Sequence, residues 1–252
     1  MSAERRTSFY RRVSGAHQTK LSAPTDAEIN FLWSFIQGSI MVPETWNALL
    51  RSYGFCERHA WIHIGVEMSF RDDYLLGPTI LYGELVDKAL HAIGALRFVG
   101  LHTLECKLLA GGPCFLCAMN IQNASTGVCP QTRLDRGRDN SKLRDFAARL
   151  EGAWCSFVCP ECARQERAGT ALTCCRRHLL AGMKTRMPVD ISTQREQLYR
   201  LSDHIARYQK SFLAGGPEAS DQDRAALIVA VGWCSGWRPL LSQLSSGAAE
   251  NA

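Results

Sequence analysis

The chain has 252 residues, 46% of them hydrophobic and 21% charged, with 29 Lys and Arg against 24 Asp and Glu. These values exclude a disordered, collagen-like or membrane-spanning chain and allow one large domain or two small ones. A net charge of +5 is too weak to imply nucleic-acid binding, whereas eleven cysteines are unusual and set the problem.

Residues 1–24 read as a basic, flexible arm carrying Arg5, Arg6, Arg11 and Arg12. It has no apolar run behind its basic start, so a secretory signal is not expected. Thr25-Asp26-Ala27-Glu28 has the form of a capping box, and Ile29, Leu32, Trp33 and Ile36 follow at helical spacing. Pro43 suits the first turn of a second helix, which Gly54 ends. A third helix starts near Cys56, and a fourth covers Thr79 to about Ala95. Residues 25–110 thus form an N-terminal helical region.

Gly111-Gly112-Pro113 is a break that opens a Cys-rich metal-binding region over 111–190. Within it, residues 121–140 read as a loop bearing Arg133, Arg136 and Arg138, and Ser141 to Trp154 is helical. A C-terminal helical pair occupies 191–245. Its first helix is capped by Thr193-Gln194-Arg195-Glu196 and carries Leu198, Leu201, Ile205, Tyr208 and Phe212 on one face. Ser220-Asp221-Gln222-Asp223 caps the second, and residues 245–252 read as frayed. Alternating strand patterns are scarce. The fold class expected is all-α, a helical bundle with two Cys/His zinc-type sites at helix ends.

Four short motifs carry the chemistry: Cys56-Glu57-Arg58-His59, Cys114-Phe115-Leu116-Cys117, Cys159-Pro160-Glu161-Cys162 and Cys175-Arg176-Arg177-His178. Each sets two ligands three positions apart, which a helix start turns to one side. Eight ligands are what two closed tetrahedral zinc sites need, with no open position for substrate water. A single CxxC is a weak signal, but two CxxC and two CxxH in one chain are a strong one. The odd cysteine count fits metal binding in a reducing cytoplasm better than a secreted disulfide scaffold.

Twelve residues separate Cys162 from Cys175, a zinc-finger-like interval that joins Cys159 and Cys162 to Cys175 and His178. Cys56 and His59 then pair with Cys114 and Cys117, although the opposite pairing remains open. Loop closure over more than 50 residues costs little more than over a short loop. Cys106 and Cys234 read as buried hydrophobes and Cys129 as a free thiol. Cys155 and Cys174 are substitute ligands if the register is otherwise. His63 follows His59 on one helix face, but no Glu completes an HExxH pattern, so it reads as packed or exposed. His17, His91, His102 and His204 have no partner pattern.

The run Gly54-Phe55-Cys56-Glu57-Arg58-His59-Ala60-Trp61 resembles the marker of an uncharacterised prokaryotic GFCxxH/CPxC family. Gly77 to Tyr82, the CPEC at Cys159, the CRRHLL from Cys175 and Leu201 to Phe212 resemble its later elements. The resemblance implies a metal-binding helical protein and assigns no activity. Members of that family carry a CPxC ahead of the first helix, where this chain reads Ser22-Ala23-Pro24-Thr25. Either Cys114 and Cys117 replace it, or Cys56 and His59 are a relic.

No phosphate-binding loop, GxSxG elbow or pair of catalytic carboxylates is recognisable, so the chain reads as a non-enzyme. The leading expectation is a cytoplasmic zinc protein with structural sites, acting as an interaction or regulatory module for a protein partner. The alternatives are a thiol-redox or zinc-release sensor and a nucleic-acid-binding regulator. An iron–sulfur protein, its cluster held by Cys114, Cys117, Cys159 and Cys162, is the third.

Overall fold

A computed structural model describes residues 23–38, 42–97, 100–119, 129–163, 174–185 and 190–250, apart from the side chains of 246–250. Every regular element among the described residues is helical, as the sequence leads one to expect. The basic arm lies outside the described residues through residue 22, as do 121–128 of the expected loop.

Helix α1 (Asp26–Gln37) starts on the capping box, the Thr25 hydroxyl accepting from the Glu28 backbone N–H. It buries Ile29, Leu32, Phe35 and Ile36. Helix α2 (Pro43–Ser52) has proline at its first position, where a missing N–H costs nothing. It ends on two successive left-handed residues, Tyr53 (φ 56°) and Gly54 (φ 79°), so the stop expected at Gly54 begins one residue earlier. Tyr53 is held there by its hydroxyl, which donates to the Lys107 carbonyl at 3.0 Å, and by Lys88 and Arg176 over its ring.

Helix α3 (Glu57–Arg71) is buried on nearly every side and forms the centre of the molecule. Around it pack α1, α7 (Gln131–Arg138), α8 (Ser141–Arg149), α13 (Asp221–Ser235) and α14 (Arg238–Glu250). A second layer joins α4 (Leu76–Gly94), α12 (Ile191–Ser211) and α13. Shorter helices fill the rest: α5 (Leu101–Leu108), α6 (Phe115–Ala118), α9 (Glu151–Trp154), α10 (Pro160–Ala163) and α11 (Arg176–Lys184). Buried residues from Ile29 to Leu244 make one hydrophobic cluster.

The turn between α13 and α14 is pinned to α3. Trp61 Nε1 donates to the Gly236 carbonyl at 2.8 Å, and Arg238 N–H donates to Glu57 Oε1 at 3.1 Å. Gly236 has φ 120°, and a Cβ there would meet Glu57 Oε1 at 2.5 Å, so only glycine fits.

Several sequence expectations are corrected. Residues 131–138 of the expected loop form α7, because Leu134 and Gly137 are buried against the bundle, Gly137 facing Ile29. Its arginines are engaged, Arg133 over the Trp33 ring at 3.8 Å and Arg138 with Asp26 and Asp135. Helix α12 starts at Asp190, whose carboxylate accepts from the Thr193 N–H, and not at Thr193. The expected fourth helix begins at Leu76, ahead of Pro78, since proline is tolerated in a first turn. A third helix, α14, follows the expected C-terminal pair, anchored by Leu240, Leu241 and Leu244, and it continues over 245–250, where fraying was expected. Cys106 is exposed rather than buried, as α5 turns Leu104 and Leu108 inward instead.

Candidate metal centres

The eight motif residues fall into two groups, and the grouping coincides with the pairing suggested by spacing. Cys56, His59, Cys114 and Cys117 form one cluster, and Cys159, Cys162, Cys175 and His178 the other. Within each, all four ligand atoms lie within 4.8 Å of one another. Cys155 and Cys174, the substitute ligands, belong to neither set of four.

The same local device builds every pair. Cys56 and Cys175 are the N-cap residues of α3 and α11, with nearly identical extended backbones (φ −66°, ψ 168° and φ −67°, ψ 159°). His59 and His178 sit three residues on, in the first turn. Cys114 caps α6 in the same way, and Cys159 immediately precedes α10. An N-cap and the third helical position face the same side, so each CxxC or CxxH delivers two donors to one point.

The spacing of the donors matches the donor chemistry. With metal–sulfur bonds of about 2.3 Å and metal–nitrogen bonds of about 2.0 Å, a tetrahedron has S–S edges of about 3.8 Å and S–N edges of about 3.5 Å. Cys56 Sγ to Cys117 Sγ is 3.9 Å, and Cys162 Sγ to Cys175 Sγ is 3.7 Å. His59 Nδ1 stands 3.3, 3.5 and 3.4 Å from the sulfurs of Cys56, Cys114 and Cys117. His178 Nδ1 stands 3.3, 3.5 and 3.2 Å from those of Cys159, Cys162 and Cys175. Two sulfurs joined as a disulfide would sit about 2 Å apart, and all eleven cysteines are free thiols. Each cluster could hold one tetrahedral metal ion.

Glu28 completes the first cluster and was not foreseen as part of it. Its Oε1 accepts from His59 Nε2 at 2.9 Å, so the ring presents Nδ1 to the sulfurs. The same carboxylate takes the Thr25 N–H at 2.8 Å and the guanidinium of Arg58. A carboxylate behind a ligating imidazole fixes its tautomer and raises its basicity. The capping box pointed to Glu28 in the sequence, but nothing local tied it to a histidine 31 positions away.

These contacts set the ionisation of the metal-free clusters. Burial pushes the His59 ring down, but bonds to Cys56 and Glu28 prevail and raise it to about 9. The adjacent Cys114 thiol draws Cys56 down to about 3 against its burial, with His59 assisting, while Cys114 is pushed up. In the second cluster Cys159 and Cys175 raise His178 to about 10, and Cys162, Cys174 and Cys175 hold Cys159 far below its ordinary value. Each cluster thus holds a thiolate–imidazolium pair, Cys56 with His59 and Cys159 with His178, and the first keeps Cys114 and Cys117 protonated beside it, a form ready to lose protons to an ion.

The two centres are linked. Glu57, next to Cys56, pairs with Arg177, two residues beyond Cys175, at 2.7 Å. His63 stays apart from both centres, sealed between the rings of Phe35 and Phe55 and 3.2 Å from Glu67. Cys234 is buried, as expected, and Cys129 is a buried free thiol. His91 bonds the Asp87 carbonyl and His204 the Asp223 carboxylate, while His17 lies outside the described residues. The four cysteines of the iron–sulfur alternative are split between the clusters, each of which includes a histidine. Among the described residues no helix is long and apolar enough to cross a membrane.

No protein-family model, curated protein or solved structure matches this chain.

Proposed function

We propose that the chain binds two zinc ions, one per cluster, as structural crosslinks, and serves in the cytoplasm as an interaction or regulatory module for a protein partner. The observation that carries this reading is the convergence of four helix starts into two four-donor sets at tetrahedral spacing. Four protein donors complete the coordination of zinc, leaving no position for substrate water. Free thiols throughout support a reducing compartment. Nucleic acid is a weaker partner, since Arg133 and Arg138 are already engaged. Kinship with the GFCxxH/CPxC family belongs to the same proposal, with Cys114 and Cys117 standing in for the missing CPxC.

Elemental analysis of protein purified without added metal tests it. We expect about two zinc per chain, falling to about one in Cys56→Ser and in Cys175→Ser. One zinc in the parent, unchanged by Cys56→Ser, would make the first cluster a relic, and none would end the proposal.

A second reading, zinc release on oxidation, is favoured by one contact. The Cys174 thiol lies against Cys159, outside the four-donor set, and both thiols shift in response. A hydroperoxide would take two electrons from this pair, forming the disulfide, an alcohol and water. Peroxide-driven zinc loss that a thiol reductant reverses, and that Cys174→Ser slows, supports this reading.

A further inference from the structure

A cleft of about 480 Å³ opens between the two clusters. Cys56 and Cys114 of the first centre stand on one wall, and Arg176, Arg177 and Lys184 of α11 on the other. Phe55, Leu109 and Leu180 supply an apolar surface between them. This volume is in the range of small-molecule sites, which are mostly apolar with a few placed polar groups.

Arg176 is the unusual member. It is only 7% exposed, yet no carboxylate among the described residues pairs with it. Buried cations are normally paired, because removing the charge from water is costly. Two carbonyls hold the guanidinium in place: Nε donates to Cys234 at 3.0 Å and Nη1 to Leu108 at 2.8 Å. The Tyr53 ring lies 4.4 Å from its centre. Nη2 makes no hydrogen bond to the described residues.

The neighbouring cations differ. Arg177 is taken by Glu57, whereas Lys184 is largely exposed, with only a 3.8 Å contact to Glu105. The cations of the cleft without a close carboxylate partner among the described residues are therefore Arg176 and Lys184, across from the sulfurs of Cys56 and Cys114. An immobilised guanidinium with a spare N–H suits an oxyanion, which it binds through charge-assisted hydrogen bonds.

We propose that this cleft is a binding site for a small oxyanion with an apolar body, in which Arg176 and Lys184 hold the anionic group and Phe55, Leu109 and Leu180 cover the remainder. The site stands on its own residues and does not depend on which metal fills the clusters.

Saturation-transfer NMR and calorimetry with hexanoate and hexyl phosphate test the proposal on the full-length, metal-loaded protein. Saturable binding of either probe is expected, and the preferred one tells a carboxylate ligand from a phosphate ester. Arg176→Gln removes two structural hydrogen bonds and could fail to fold, so two other variants carry the test. Lys184→Ala should weaken binding about tenfold, the scale of one charge-assisted contact. Gly112 lines the cleft, and a Cβ there meets nothing within 4 Å, so Gly112→Leu adds bulk at the cleft wall without a clash at its first side-chain atom. That variant should abolish binding. Metal content, measured on the same samples, separates this outcome from a failure of the zinc reading. Absence of saturable binding by both probes in fully metal-loaded protein would overturn the proposal, as would parental affinity in Gly112→Leu.

Discussion

Glu28→Gln is the sharpest probe of the first centre, because it removes one charge and almost no volume. Three partners respond. His59 Nε2 loses a carboxylate acceptor at 2.9 Å, the Arg58 guanidinium loses its counter-charge, and the Thr25 N–H keeps only an amide oxygen. The first loss acts on the ion and the other two on the fold. Removing a carboxylate behind a ligating histidine costs roughly 10–100-fold in metal affinity, or about 1.4–2.7 kcal/mol. The cap is worth about 1 kcal/mol and the Arg58 pair less than that, since Arg58 is one-third exposed. Zinc competition against a chromogenic chelator measures the affinity in a Cys175→Ser background, where only the first centre fills. Thr25→Ala is the control: it removes the hydroxyl cap, leaves Glu28 on His59, and should lower stability while leaving affinity within about twofold. Glu28→Gln binding zinc as tightly as its parent would refute the orienting role. Equal weakening by Thr25→Ala would show that the effect travels through the helix rather than the imidazole.

Two further outcomes follow from the geometry. With Cys56 lowered to about 3, His59 raised to about 9 and Cys114 and Cys117 pushed up, the metal-free first centre near neutral pH carries two thiol protons and one imidazolium proton. Zinc must displace all three. Its apparent affinity should therefore rise with pH, by about three logarithmic units per pH unit between about pH 4 and 8, and less steeply once His59 deprotonates on its own. Calorimetry in buffers of different ionisation enthalpy counts the protons, and release of a single proton would contradict the assignment. Gly232→Ala should destabilise the fold: its Cβ would fall 2.3 Å from the indole of Trp237, which is sealed and stacked on Trp154. Alanine in an open helix interior gains up to about 1 kcal/mol over glycine, whereas overpacking costs about 1–3, so the sign of the change in a urea melt decides.

The parts legible in the sequence were those specified over a few residues. Thr25–Glu28 and Ser220–Asp223 are both capping boxes in the structure, because each needs only four consecutive positions. The four Cys/His pairs were legible for the same reason, being complete within one helical turn. Helix α7 was obscured because Gly137 and three arginines read as loop composition, while what stabilises it is Ile29 and Trp33 of a distant helix. Cys106 was misplaced because an apolar run around a thiol does not say which face of a short helix turns inward. Glu28 behind His59 and Arg176 across from Cys56 depend on tertiary approach, and no spacing rule encodes either.

The design logic of the centres lies in the lengths of their helices. Helices α6 and α10 have four residues each, far below what holds a helix together in water, whereas α3 has 15 and is buried from Ala60 to Phe70. Each cluster therefore joins one element that folding already fixes to one that it does not. In the first centre, Cys56 and His59 stand on the half-buried start of α3, and Cys114 and Cys117 on a single turn. In the second, α11 buries Leu179 and Leu180, and Cys159 and Cys162 sit on another lone turn. An ion shared between such unequal partners stabilises the short turn more than the long helix, because the long helix loses little further entropy on ligation. The helix N-termini also present partial positive charge to the sulfurs, favouring thiolates where three must coexist. Metal binding on this scale can contribute on the order of 10 kcal/mol, as much as the stability of a whole domain. The ions would thus act less on the bundle core than on the single turns over 114–118 and 159–163, the places where the polypeptide alone is weakest.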